Sequence, residues 1–328
     1  MKQRVTYFDS IRFLAAILVY SVHFIAEFNA NIFSYWNTKP LSFIMGGISG
    51  KLATAFFCVI LGYFAGKKGC QNISTFKYAA QRYLSFVLAV LITHLIYILT
   101  GYLGLTSQKV SIMHAVSSSF MLKSDILGRL WCMRPFLYGS ILCFINGKYK
   151  IGFVEVVIQT VILILIGDVW TALCLLGNLM SFILQDTRTQ AVLKPMNQVI
   201  LFLLCFAAIN RPESNAAYII DGICAMVFLI IVANNRFLQA GLNNKFLSGI
   251  GKYYLGIYML HPLIYETLGK CILNEWLTLP YKIRFFTSYF VCLILIVLLA
   301  VPFTDFVNLV YRSIVRLTDQ SSIKRRQI

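Results

Sequence analysis

The stretch Phe8-Asp-Ser-Ile-Arg12-Phe-Leu-Ala-Ala-Ile-Leu-Val-Tyr20-Ser-Val-His23-Phe24 decides the fold. It is apolar enough to lie in a bilayer, yet it carries a guanidinium and an imidazole that a membrane-length helix does not need. At about 100° per residue, the path from Arg12 to His23 returns to within roughly 20° of its starting direction, some 16 Å further along the axis. Asp9, Ala16, Tyr20 and Glu27 fall near the same stripe. A single polar stripe on an otherwise greasy helix is where chemistry is expected.

The rest of the chain agrees with a membrane setting. Of 328 residues, 59% are hydrophobic and only 12% charged, with a mean hydropathy of +0.76. Soluble domains carry about one quarter charged residues. Apolar runs recur from end to end, which predicts an all-α polytopic transmembrane helix bundle of about ten helices. The spans read as 10–28, 52–65, 83–104, 127–146, 152–168, 170–185, 199–210, 216–233, 253–268 and 285–311. Span 52–65 is short enough to suggest a re-entrant segment, and residues 152–185 divide into two spans only by a guess at the turn. One membrane domain over residues 1–328, with no appended soluble domain, is the expected organisation.

A net charge of +17 invites a nucleic-acid reading, but its placement argues against one. With the N-terminus in the cytoplasm, eighteen Lys and Arg fall in inner segments and eight in outer ones, while Arg12, Arg129 and Arg134 lie within or beside spans. That is the positive-inside asymmetry of a multi-pass protein with both ends in the cytoplasm. The terminal Lys324-Arg325-Arg326 reads as a tail on anionic lipid.

The nine cysteines lie mostly in apolar spans without paired spacing, so they read as small core residues and not as disulfides or ligands. Lys2 and Arg4 before an apolar run resemble a signal peptide. Asp9 and Arg12 interrupt that run, and the first span is expected to stay as a permanent helix. No internal repeat is visible, which weakens an inverted-repeat transporter reading.

Ionisable groups at membrane depth normally face the protein interior or a wet cavity. Arg12 offers a planar fork of donors suited to phosphate. His23 titrates near neutrality and suits a general base for a hydroxyl. Glu27, one turn on, is placed to orient the imidazole. The bland alternative is an Asp9–Arg12 pair that stabilises the bundle, with His23 merely hydrogen-bonded. Trp131 and Arg134 open a span beside Pro135; Arg134 fits an anionic group or a carboxylate partner equally well. His261 precedes Pro262, whose missing N–H frees the carbonyl of Tyr258 for a ligand or water. His261 therefore reads equally as a packing residue or a site residue. His94, Glu155 and Asp221 stand alone and read as helix–helix glue. Asp168, Asp186 and Asp305 fall near span ends, where solvent satisfies them, and His114 falls in an exposed outer loop. No His/Cys/carboxylate set has metal spacing, and no nucleophile elbow or phosphate loop is visible.

These residues resemble the acyltransferase family 3 membrane proteins. Phe8-Asp9-Ser10-Ile11-Arg12-Phe13-Leu14-Ala15-Ala16 followed by His23-Phe24 is similar to the family's opening, in which an Arg and a His stand ten residues apart. Phe56-Phe57 through Gly62-Tyr63 resembles the aromatic-pair segment of the second helix, with Leu61 where Ser is usual. Arg82-Tyr83 resembles the start of the third helix, without the customary Pro. Leu130-Trp131 and Gly256-Ile-Tyr258-Met-Leu-His261-Pro262 are similar to later motifs, so the resemblance runs along most of the chain.

The resemblance implies a bacterial plasma-membrane enzyme of about ten helices. It would move an acetyl or succinyl group from cytosolic acyl-CoA, most simply acetyl-CoA, to a hydroxyl of a cell-surface glycan or its lipid-linked precursor. Arg12 would contact CoA, helped by Arg82, and His23 would be catalytic with Glu27 beside it. Trp131, Arg134, Tyr258 and His261 are substrate-binding candidates. No metal and no nucleic acid is expected; the partners are the glycan acceptor and the lipid bilayer, and self-association into a homo-oligomer is left open. The chief competing reading is a transporter or flippase for a lipid-linked glycan or small anion, its polar stripe lining a path. A membrane scaffold has no positive feature behind it.

Overall fold

The computed structural model describes residues 5–28, 50–106, 110–121, 130–186, 198–199, 201, 214–273 and 279–324. Among these residues every regular element is helical. In chain order they are α1 (Thr6–Phe28), α2 (Gly50–Gly69), α3 (Thr75–Tyr102), α4 (Ile112–Ser119), α5 (Met133–Lys148), α6 (Phe153–Leu165), α7 (Val169–Ile183), α8 (Asn215–Asn234), α9 (Arg236–Leu242), α10 (Lys245–Gly251), α11 (Tyr254–Ile264), a π-turn (Tyr265–Gly269) and α12 (Tyr281–Lys324).

Among the described residues, five helices are long and apolar enough to cross a membrane: α1, α2, α3, α8 and Ile283–Arg316 of α12. The segment expected to be re-entrant is thus a helix of spanning length, Gly50–Gly69. The division of 152–185 is real, but α6 and α7 run for only 13 and 15 residues. Gly167 breaks the chain with φ +84, and Asp168 caps α7 by accepting from the Thr171 N–H at 3.3 Å. Asp168 is therefore tied to its own helix end. The expected span 199–210 lies outside the described residues apart from 199 and 201, as does the start of 127–146. His114 belongs to a short helix capped by Ser111, which corrects its placement in a loop.

The chain divides into two units. Unit one comprises Met1–Ala79 and Cys132–Tyr254. Its core is the crossing of α2 with α5 and α7, where backbones touch because side chains are missing. A Cβ on Gly177 would sit 2.1 Å from the Val59 carbonyl oxygen, one on Gly62 1.8 Å from that of Cys174, and one on Gly147 2.0 Å from that of Gly66. Cys143 Sγ donates to the Cys174 carbonyl at 3.3 Å within the same crossing. Tyr78 stacks on Phe144 with centroids 3.9 Å apart. α1 packs on α2 through Phe8, whose ring meets Tyr63 and Phe64. The short helices α9 and α10 hold the start of α1: Thr6 Oγ1 donates to Asn243 Oδ1 at 2.6 Å, and the Ser10 hydroxyl donates to the Leu242 carbonyl.

Unit two comprises Ala80–Trp131 and Leu255–Ile328. His94 ties α3 to α4, its Nδ1 lying 2.9 Å from the Val90 carbonyl and 3.1 Å from Ser119 Oγ. The expectation that His94 joins helices is met. α11 lies close on α12, where a Cβ on Gly256 would meet the Ala300 carbonyl oxygen at 2.7 Å. Ser288 Oγ on α12 donates to the Gly269 carbonyl at 3.2 Å, tying the π-turn to α12. Among the described cysteines none is in a disulfide.

Candidate active site

Arg12 sits in unit one, on the buried side of α1. Its Nη1 donates to Asp9 Oδ1 at 3.0 Å, one turn back along the helix. The guanidinium carbon Cζ lies over the Phe64 ring, 5.1 Å from its centroid, and over the Tyr254 ring, 5.3 Å from its centroid. Tyr254 is itself braced by Phe57, centroids 5.3 Å apart and nearly parallel. Two aromatic faces and one carboxylate thus hold the cation without engaging all of its five N–H donors. The side chain remains 18% exposed, so the outstanding donors have a route to a ligand.

Asp9 and Arg12 do form the pair that the bland reading anticipates. The pair is more than ballast, because an Asp three residues away orients the guanidinium as well as neutralising it. The backbone beneath is equally fixed: a Cβ on Gly251 would lie 2.0 Å from the Asp9 carbonyl oxygen.

His23 and Glu27 lie further along the same helix, both half-buried. One turn separates them, so the two side chains share a face. Between Arg12 and His23, Ala15 and Ala16 are buried and the Tyr20 ring is fully enclosed against Phe24. The small residues at Ala15 and Ala16 therefore serve packing.

The remaining sequence candidates are spread over both units. Arg134, in unit one, lies 5.5 Å from the Tyr138 centroid on its own helix, with no carboxylate partner among the described residues. Arg82 and Trp131 belong to unit two, each half-buried. Tyr258 and His261, also in unit two, are buried on α11. There the carbonyl of Tyr258 is not left for a ligand or water: His261 Nδ1 lies 2.7 Å from it. A carbonyl only accepts, so Nδ1 carries the proton and the ring fills the bond that Pro262 forfeits. The ring centroid stands 6.1 Å from that of Tyr265 at the start of the π-turn.

Sequence reading missed Phe64 and Tyr254, the two rings that hold Arg12. Both lie in quoted or adjoining aromatic stretches, but no local spacing connects residues so far apart in sequence. In comparison with known proteins, the model of a family described as an acyltransferase domain matches residues 5–305. No curated protein and no solved structure matches the chain.

Proposed function

The chain belongs to that acyltransferase family, and from this premise we propose that it transfers an acyl group from acyl-CoA to a hydroxyl of a cell-surface glycan or its lipid-linked precursor. The observation that carries the reading is Arg12, held against the rings of Phe64 and Tyr254 with donors to spare, on the same face of one spanning helix as His23. A fixed guanidinium suits a phosphate or pantetheine oxygen of CoA. The helix run of about 16 Å from Arg12 to His23 is comparable to an extended pantetheine arm, so donor anchor and chemistry bracket the substrate.

In this reading an unprotonated imidazole nitrogen of His23 takes the proton of the acceptor hydroxyl as its oxygen attacks the thioester carbonyl carbon. The C–O bond forms, the C–S bond breaks, and the thiolate of CoA leaves with the proton returned from His23. Glu27 steadies the transient imidazolium from one turn away. Arg134, in the same unit, is offered to the acceptor; Arg82, Trp131, Tyr258 and His261 stay substrate-binding candidates within unit two. Acetyl is the simplest acyl group, and the bacterial plasma membrane the natural setting.

Purified protein incubated with radiolabelled acetyl-CoA and a glycan acceptor tests this. Release of CoA that depends on acceptor, lost in His23→Ala at normal expression, supports the reading. Undiminished turnover by the variant overturns the base assignment.

A further inference from the structure

We infer that unit one carries a second ligand site, for a phosphate-bearing molecule with hydroxyl or amino donors, between the lysine-bearing ends of α2 and α5 and the end of α7. A cavity of about 300 Å³ opens there. Lys67, Lys150, Asn146, Asn178, Ser181 and Gln185 are among the residues lining it. Its size is at the lower end of small-molecule sites, enough for a phosphorylated sugar or the phosphoribosyl part of a nucleotide.

Two observations distinguish it from an ordinary surface crevice. Asn146 and Asn178 are 3% and 4% exposed, and the side-chain oxygen of each accepts no hydrogen bond. Their amide nitrogens are committed, that of Asn146 to Gln159 Oε1 at 2.7 Å and that of Asn178 to the Cys143 carbonyl at 3.3 Å. The Cys143 carbonyl can only accept, which fixes the oxygen of Asn178. A buried acceptor on the cavity wall calls for a ligand that brings an O–H or N–H donor.

The second observation concerns Lys150. It has φ +51, the left-handed conformation that ends a helix and normally belongs to glycine. The backbone around it closes α5 with the Ile151 N–H donating to the Asn146 carbonyl at 2.9 Å. A β-carbon at that position is a conformational burden, so a fold chosen for stability alone would place Gly there. The side chain kept at that cost is a cation on the cavity wall. Lys67 supplies another; its ammonium donates to the Tyr63 hydroxyl and retains further N–H groups. Two cationic side chains on one cavity wall call for an anion, and the Asn178 oxygen calls for a donor beside it. A phosphate ester on a hydroxyl- or amino-bearing scaffold satisfies both.

That chemistry comes either from a soluble nucleotide or from an anionic lipid headgroup, and one experiment separates them. Adenosine 5′-monophosphate is titrated calorimetrically against the full chain in phosphatidylcholine nanodiscs. In parallel, retention of phosphatidylglycerol against phosphatidylcholine is measured on detergent-purified protein by native mass spectrometry. Lys150→Gly and Lys67→Gln are carried through both arms with a thermal unfolding control. We expect one probe to bind, and each variant to weaken it about ten-fold through loss of a charged hydrogen bond. Lys150→Gly should do so while unfolding no earlier than the parent, because it relieves the left-handed residue. Binding of the nucleotide assigns the soluble source, and retention of phosphatidylglycerol alone assigns the lipid. Failure of both probes, or binding indifferent to both variants, overturns the site. No acyl transfer is read, so the result stands apart from the catalytic proposal.

Discussion

Asp9 and Arg12 form a 3.0 Å ion pair across one turn of α1, and that pair sets the attitude of the cation between two aromatic faces. Arg12→Lys keeps the charge but loses the planar fit to Phe64 and Tyr254. We expect it to weaken acyl-CoA binding about ten-fold, with a stability loss of about 1 kcal/mol from the forfeited ring contacts. Equilibrium binding of acetyl-CoA and detergent unfolding check the two effects separately. Asp9→Asn should leave Arg12 charged but less well aimed, giving a smaller loss of affinity than Arg12→Lys.

On the same helix, Glu27→Gln removes the charge that would stabilise an imidazolium at His23. Turnover should fall less than in His23→Ala, where loss of a general base costs about 10²–10⁴-fold. The affinity for acetyl-CoA should be unchanged in both variants, since neither residue is assigned to the donor. A donor affinity that collapses with Glu27→Gln would place that carboxylate elsewhere in the cycle.

On α11, His261 and Pro262 are linked through one carbonyl. His261→Phe strands the buried Tyr258 oxygen, at a cost of about 1–3 kcal/mol. Adding Pro262→Ala restores a backbone N–H to the i→i−4 position and should recover most of that loss. Urea or thermal unfolding of the two single variants and the double variant checks this. Additive losses would mean that the ring does not serve the carbonyl.

In the crossing of α2 and α7, Gly177→Ala would place a methyl group 2.1 Å from the Val59 carbonyl oxygen. Backbone cannot swing aside as a side chain tip does, so the cost should reach the upper part of the usual overpacking range of about 1–3 kcal/mol. Gly241→Ala meets nothing within 4 Å and is the matched control, expected to be neutral or slightly stabilising.

Helix positions were largely legible because apolar runs and their polar punctuation are local properties. The break within 152–185 falls at Gly167-Asp168, close to where the two spans were divided, but the cap that Asp168 provides was not legible, since a carboxylate near a span end is equally served by solvent. The stripe of Arg12, His23 and Glu27 was legible, since helical periodicity alone aligns it. The clamp on Arg12 was not, because Phe64 and Tyr254 reach it from other helices. Nor was the role of His261: the sequence suggests that Pro262 exposes a carbonyl, but only the rotamer of the neighbouring ring decides what fills it. The amides of Asn146 and Asn178 passed unnoticed because uncharged polar residues in apolar helices usually serve packing.

The length of α12 has a consequence of its own. Its 44 residues extend roughly 66 Å at about 1.5 Å per residue. A crossing of the ~30 Å hydrocarbon layer takes only some 40 Å of helix even at the steepest tilt of about 40°. Some 25 Å of continuous helix must therefore stand clear of the oily layer, like a mast stepped in the membrane.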